Sequence, residues 1–142
     1  MPIFVGICGK IIVRSRLSQT APTLSGRFIL KGENMTVKDI IDHVDNVKPN
    51  SYDLETKLLW LNEVEGRCLT DVHKKEVTDL NLLKSDTDEL VIPYMFATAY
   101  IYYIIAMIDF LCGEFDKYRA SSSAYNKVMS DYAKFVIRGG SV

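Results

Sequence analysis

Between Glu89 and Asp109 the chain carries no charge, and the run LVIPYMFATAYIYYIIAMIDFLC (Leu90–Cys112) places four tyrosines among Ile, Met, Phe and Ala. Such a segment either crosses a membrane or forms a helix buried on nearly every side. The choice constrains everything else. Counted from Tyr94, 15 uncharged residues precede Asp109. That is short of the length that a hydrocarbon core of ~30 Å needs at a rise of ~1.5 Å per residue. Tyrosine favours membrane interfaces, yet Tyr100, Tyr102 and Tyr103 would lie at mid-bilayer. The buried-helix reading is therefore preferred, with Pro93 at its first turn and Gly113 at its exit. A helix apolar all round is hard to cover in so small a domain, which points to burial against another subunit.

The rest of the chain supports a small helical unit. Its 142 residues are 48% hydrophobic and 25% charged, the proportions of a folded domain rather than a disordered one. Thr36-Val37-Lys38-Asp39 matches a capping box with Asp in the third position, and Val37, Ile40, Ile41 and Val44 follow at helical spacing. Lys48-Pro49 stops that helix. Asp53 then caps a second helix expected from Leu54 to about Lys75, with Leu54, Leu58, Leu61, Cys68 and Val72 as its buried stripe, Glu65 interrupting it and Trp60 and Val64 on its flank. Glu63 with Arg67 and Asp71 with Lys75 are spaced to pair on its exposed side. Glu76 to Pro93 reads as a connector. Asp79-Leu80-Asn81 opens like a calcium loop, but Leu83 and Lys84 stand where an oxygen ligand and a glycine belong. After Gly113, Phe115, Tyr118, Ser122, Tyr125, Met129, Tyr132 and Val136 alternate steps of three and four, predicting one amphipathic helix from Glu114 to about Ile137. Two long helices joined at Gly113 make an αα-hairpin.

Residues 1–34 have a different texture. Short β-prone runs (Ile3–Val5, Ile11–Val13, Phe28–Leu30) are separated by Gly and Pro, which fits a small hairpin, a loosely ordered arm, or an upstream extension of a chain that naturally starts at Met35. The expected fold class is thus all-α: two short-to-medium helices and a long antiparallel helical hairpin over 35–142, preceded by an arm over 1–34.

Charge and chemistry exclude several functions. Lys10, Arg14, Arg16, Arg27 and Lys31 against Glu33 give 1–34 a charge of +4, leaving −5 for the remainder of a chain whose net charge is −1. An acidic body is unsuited to sequence-specific DNA binding, which needs clustered Lys and Arg. Cys8, Cys68 and Cys112 form no CxxC pair, and their odd count argues against a disulfide framework; Cys68 and Cys112 read as buried thiols. His43 and His73 sit in no zinc motif and read as surface or boundary residues. No phosphate loop, dinucleotide fingerprint or nucleophile elbow is found. No catalytic, metal or cofactor residue is singled out, and Asp109 reads as an ion-pair partner of Lys117, Arg119 or a neighbouring subunit.

Taken in order, MTVKDIIDHVDNVKPNSYDLETKLLWLNEVEGR (Met35–Arg67) and ELVIPYMFATAYIYYIIAMIDFLCGEFDKYRASSSAYNKVMSDYAKF (Glu89–Phe135) resemble a family of tailed-phage and prophage head-tail connector proteins. The resemblance implies a non-enzymatic helical virion protein of the neck, assembled in the host cytoplasm. It would form a homo-oligomeric ring of about a dozen subunits under the portal protein, meet a downstream connector or tail protein, and let DNA pass without sequence recognition. No membrane and no cofactor are implied. Trp60, Tyr94, Tyr100, Tyr103, Met107 and Phe110 are the expected packing anchors, since aromatic side chains carry much of the energy of interfaces. The alternatives are a small DNA-binding or membrane-associated phage accessory protein. The segment before Met35 departs from the family pattern.

Overall fold

The computed structural model describes residues 34–78 and 82–140. The readings made above for the β-prone runs of 1–33 and for Asp79-Leu80-Asn81 lie outside those residues. The fold is all-α with one small two-stranded sheet. In chain order it comprises β1 (Asn34–Thr36), α1 (Val37–Val47), α2 (Leu54–Arg67), β2 (Glu89–Pro93), α3 (Thr98–Leu111) and α4 (Phe115–Ile137).

The capping box forms as read. Thr36 Oγ1 accepts from the Asp39 amide and the Asp39 carboxylate accepts from the Thr36 amide at 3.0 Å. Val37, Ile40 and Val44 are then fully buried on one face of α1. Its end at Lys48 is extended, as a residue before proline prefers. The loop that follows is held by Asn50, which donates to Asp45 and to the Lys48 carbonyl (both 2.9 Å) and accepts from the Tyr52 amide. Asp53 caps α2 through the Thr56 amide at 2.9 Å.

α2 departs from expectation in two ways. Its buried face centres on Trp60, Leu61, Val64 and Glu65, so the stripe is rotated toward the expected flank and Leu54 is exposed. The regular helix stops at Arg67 and continues as a π-turn over Cys68–Val72, closed by His73 N–H to the Cys68 carbonyl at 3.1 Å, before Lys74 turns the chain at φ 57°. Cys68 is buried and free, as read, and burial pushes its thiol up to about 12; Cys112, read above as a buried thiol, is instead half-buried and disulfide-bonded. His43 is exposed and His73 half-buried, where it meets the Tyr132 hydroxyl at 2.8 Å.

β2 pairs antiparallel with β1, Thr36 opposite Glu89 and Asn34 opposite Pro93 with a register shift between them. The connector is tied down before it reaches β2. Asn62 exchanges two hydrogen bonds with the Leu83 backbone, and the Asp88 carboxylate accepts from the amides of Lys84 and Ser85.

α3 starts later than the hydropathy suggests, because Tyr94–Phe96 forms a 3-10 turn after Pro93. It ends in a Schellman motif: Gly113, at φ 77°, donates to Phe110, and Glu114 donates to Asp109 at 2.8 Å. The positive φ is what requires glycine there. α4 turns its stripe toward α3, burying Tyr125 and Tyr132 and half-burying Tyr118, Ser122, Met129 and Val136.

The covering of α3 comes mainly from within the chain. Ala99, Tyr100, Ile101, Tyr103, Ile104, Ala106, Ile108 and Asp109 are all buried against α1, α2 and α4. The chain itself thus covers half of Tyr94–Leu111, and Phe110 stays exposed. α1, α2 and α4 all pack against α3 with buried apolar residues. Among the described residues, Tyr94–Leu111 is the one stretch long and apolar enough to cross a membrane, with mean hydropathy 1.5 and half its residues buried in protein.

Candidate docking surface

Three polar clusters hold the helices in place. Glu65, on the buried face of α2, accepts from the Tyr100 hydroxyl of α3 and from the Val91 amide of β2, and the same hydroxyl accepts from the Ile92 amide at 3.0 Å. Burial raises the carboxyl pKa of Glu65, outweighing these hydrogen bonds, which favour its charge. Asp109, at the end of α3, is paired with Lys48 rather than with Lys117 or Arg119, and Ser121 donates to it at 3.4 Å. Lys117 binds Glu114 and Arg119 binds Asp116. Burial opposes the charge on Lys48, but Asp109 and Glu114 outweigh it and raise its pKa. Lys57, itself buried, pairs with Asp45 at 2.7 Å, and Asp45 also accepts from Asn50 of the loop after Lys48.

The Glu65 cluster has a pH signature. A carboxyl whose folded pKa lies above its unfolded value stabilises the fold fully below the unfolded pKa, and that contribution is lost as pH rises through the folded one. Glu65→Gln should therefore compare progressively better with the wild type as pH rises from about 4, the ordinary glutamate range, toward 7. Thermal unfolding of both proteins across that range measures it; a constant difference would contradict the assignment.

These clusters fix the hairpin, and its tip is left apolar and open. Phe110 (48% exposed), Leu111 (43%) and Phe115 (53%) flank the Gly113 turn. Phe110 packs edge-on to Phe115 with ring centres 5.7 Å apart and lies 5.3 Å from Tyr118. Below this ridge, between α3, α4 and the end of α2, is a groove of about 200 Å³ lined by Arg67, Tyr103, Ala106, Met107, Tyr118, Ser122, Tyr125 and Asn126. Tyr118 belongs to both ridge and groove. The expected Glu63–Arg67 contact is reorganised around Tyr103: its hydroxyl donates to Glu63, and the Arg67 guanidinium lies 5.5 Å over its ring, with Tyr125 also lining the groove.

The six residues expected to anchor packing are thus dispersed. Trp60 is buried against Tyr52, with ring centres 5.4 Å apart, and acts within the domain. Tyr100 is wholly buried in the chain's own core, and Tyr103, nearly buried, also lines the groove. Tyr94 is half-buried at the opposite end of the segment, and Met107 lines the groove. Phe110 alone of the six stands well exposed on the ridge. Leu111, Phe115 and Arg67 were not singled out; the step from Phe115 to Tyr118 in the α4 stripe carried the available signal.

Among the described residues, no group of three or more His, Cys, Asp and Glu side chains is placed to hold a metal ion. No family model, curated protein or solved structure matches the chain.

Proposed function

We propose that this chain is a non-enzymatic head-tail connector that assembles as a ring beneath a portal protein and joins the DNA-filled head to the tail. The observation that carries the reading is the open apolar ridge of Phe110, Leu111 and Phe115 on a hairpin braced by the Lys48–Asp109 pair. Exposed apolar side chains gathered at one place mark a surface that another protein covers. The sequence resemblance over Met35–Arg67 and Glu89–Phe135 supplies the kind of assembly. A ring needs a head-to-tail contact between two different faces of each copy, and Val47, Leu54 and Leu59 are apolar side chains exposed away from the hairpin turn in sequence. The acidic balance of residues 35–142 suits a conduit along which DNA slides without sticking.

The mass of the full chain, alone and mixed with portal rings, tests the proposal. Ring-sized assemblies or co-migration with the portal are expected. A second reading, a membrane-associated accessory protein, is favoured by the apolar Tyr94–Leu111 window; partition of the folded protein into detergent would support it against the connector.

A further inference from the structure

We infer that the groove between α3 and α4 is a binding site for an aromatic side chain that adjoins a carboxylate, presented by a protein partner. The inference rests on the reading of the hairpin as a protein-docking element, and it specifies the chemistry of what docks. Three features define the occupant. The volume of about 200 Å³ is below the ~300–1,000 Å³ of ordinary small-molecule pockets and suits one large side chain. The walls supplied by Tyr103, Met107, Tyr118 and Tyr125 favour an aromatic ring.

The third feature is charge. Arg67 takes part in none of the ion pairs formed among the described residues. Its guanidinium lies 5.5 Å over the Tyr103 ring, at the edge of the groove that Tyr125 also lines. A planar fork with donors to spare matches a carboxylate, and Ser122 and Asn126 beside it add neutral polar groups. A nucleic acid would also offer an aromatic face and an anion. It fits less well, because Arg67 is the sole cation among the residues lining the groove. A polyanion gains from several cations together; one carboxylate needs one.

N-acetylphenylalanine, which has the ring and the carboxylate, and N-acetylphenylalaninamide, which lacks the charge, are the probes. Added to the full-length protein and followed by NMR, the acid is expected to shift the signals of Tyr103, Met107 and Ser122 in a saturable way. It should bind about tenfold more tightly than the amide, the size of effect a hydrogen bond to a charged group gives. Arg67→Gln, at an exposed position, should erase that preference with the fold intact. If that variant does not fold, Ser122→Phe, which fills the groove, should abolish binding of both probes. Equal binding of acid and amide, shifts confined to other surfaces, or no saturable shift would overturn the inference. So would displacement of the acid by an oligothymidylate. Because no portal or ring is present, failure here leaves the connector reading to be judged on assembly, and failure of assembly leaves the groove chemistry standing.

Discussion

Lys48→Met is expected to destabilise the protein by about 3 kcal/mol, the lower end of the range for breaking a buried ion pair. Its partner Asp109 has a side chain only 2% exposed, whereas the lysine is 17% exposed, so the loss strands a carboxylate that water barely reaches. Ser121 at 3.4 Å is a weak substitute for a cation. Urea unfolding measures the effect. The double replacement Lys48→Met with Asp109→Leu should recover most of the loss, since exchanging a whole buried pair for apolar groups is often neutral or better. A single variant as stable as wild type at neutral pH would show that the pair does not brace the hairpin.

Tyr100→Ala should be the most damaging single change, costing about 3–5 kcal/mol for the lost ring and its cavity. The residue is fully buried on α3, and its hydroxyl links the Glu65 carboxylate of α2 to the Ile92 amide of β2. Tyr100→Phe keeps the ring but removes that link, leaving a buried amide without its acceptor, at about 1–3 kcal/mol. The order Ala worse than Phe worse than wild type, read by chemical denaturation, separates packing from hydrogen bonding. Since small domains are stable by only about 5–15 kcal/mol, the alanine variant is expected to be largely unfolded at modest denaturant. An alanine variant within about 1 kcal/mol of wild type would contradict the buried placement, given what large-to-small core changes cost.

What the sequence made legible was local. The capping box at Thr36, the Asp53 cap, the Gly113 turn and the α4 stripe depend on residues within one or two turns of each other, and all were found. What it hid was tertiary. Glu65 looks like a break in an apolar stripe because its partners, Tyr100 and Val91, lie 35 and 26 residues away. Asp109 is matched by Lys48, 61 residues earlier, in preference to nearby cations. The groove is harder still, since Arg67, Met107 and Ser122 come from three helices and share no periodicity. Six aromatic or sulfur-bearing candidates could be named from composition, but only the packing distinguishes Tyr100 in the core from Phe110 on the ridge.

The central claim is that the hairpin tip is where this chain meets other proteins. Native mass measurement of the full chain with portal rings, wild type against a Phe110→Ser, Phe115→Ser variant, tests it most directly. Both side chains are about half exposed, so the variant should keep its fold and its unfolding midpoint. The account predicts ring-sized or portal-bound species for the wild type and a folded monomer for the variant. A wild type that stays monomeric beside portal rings, or a variant that assembles just as well, would contradict it.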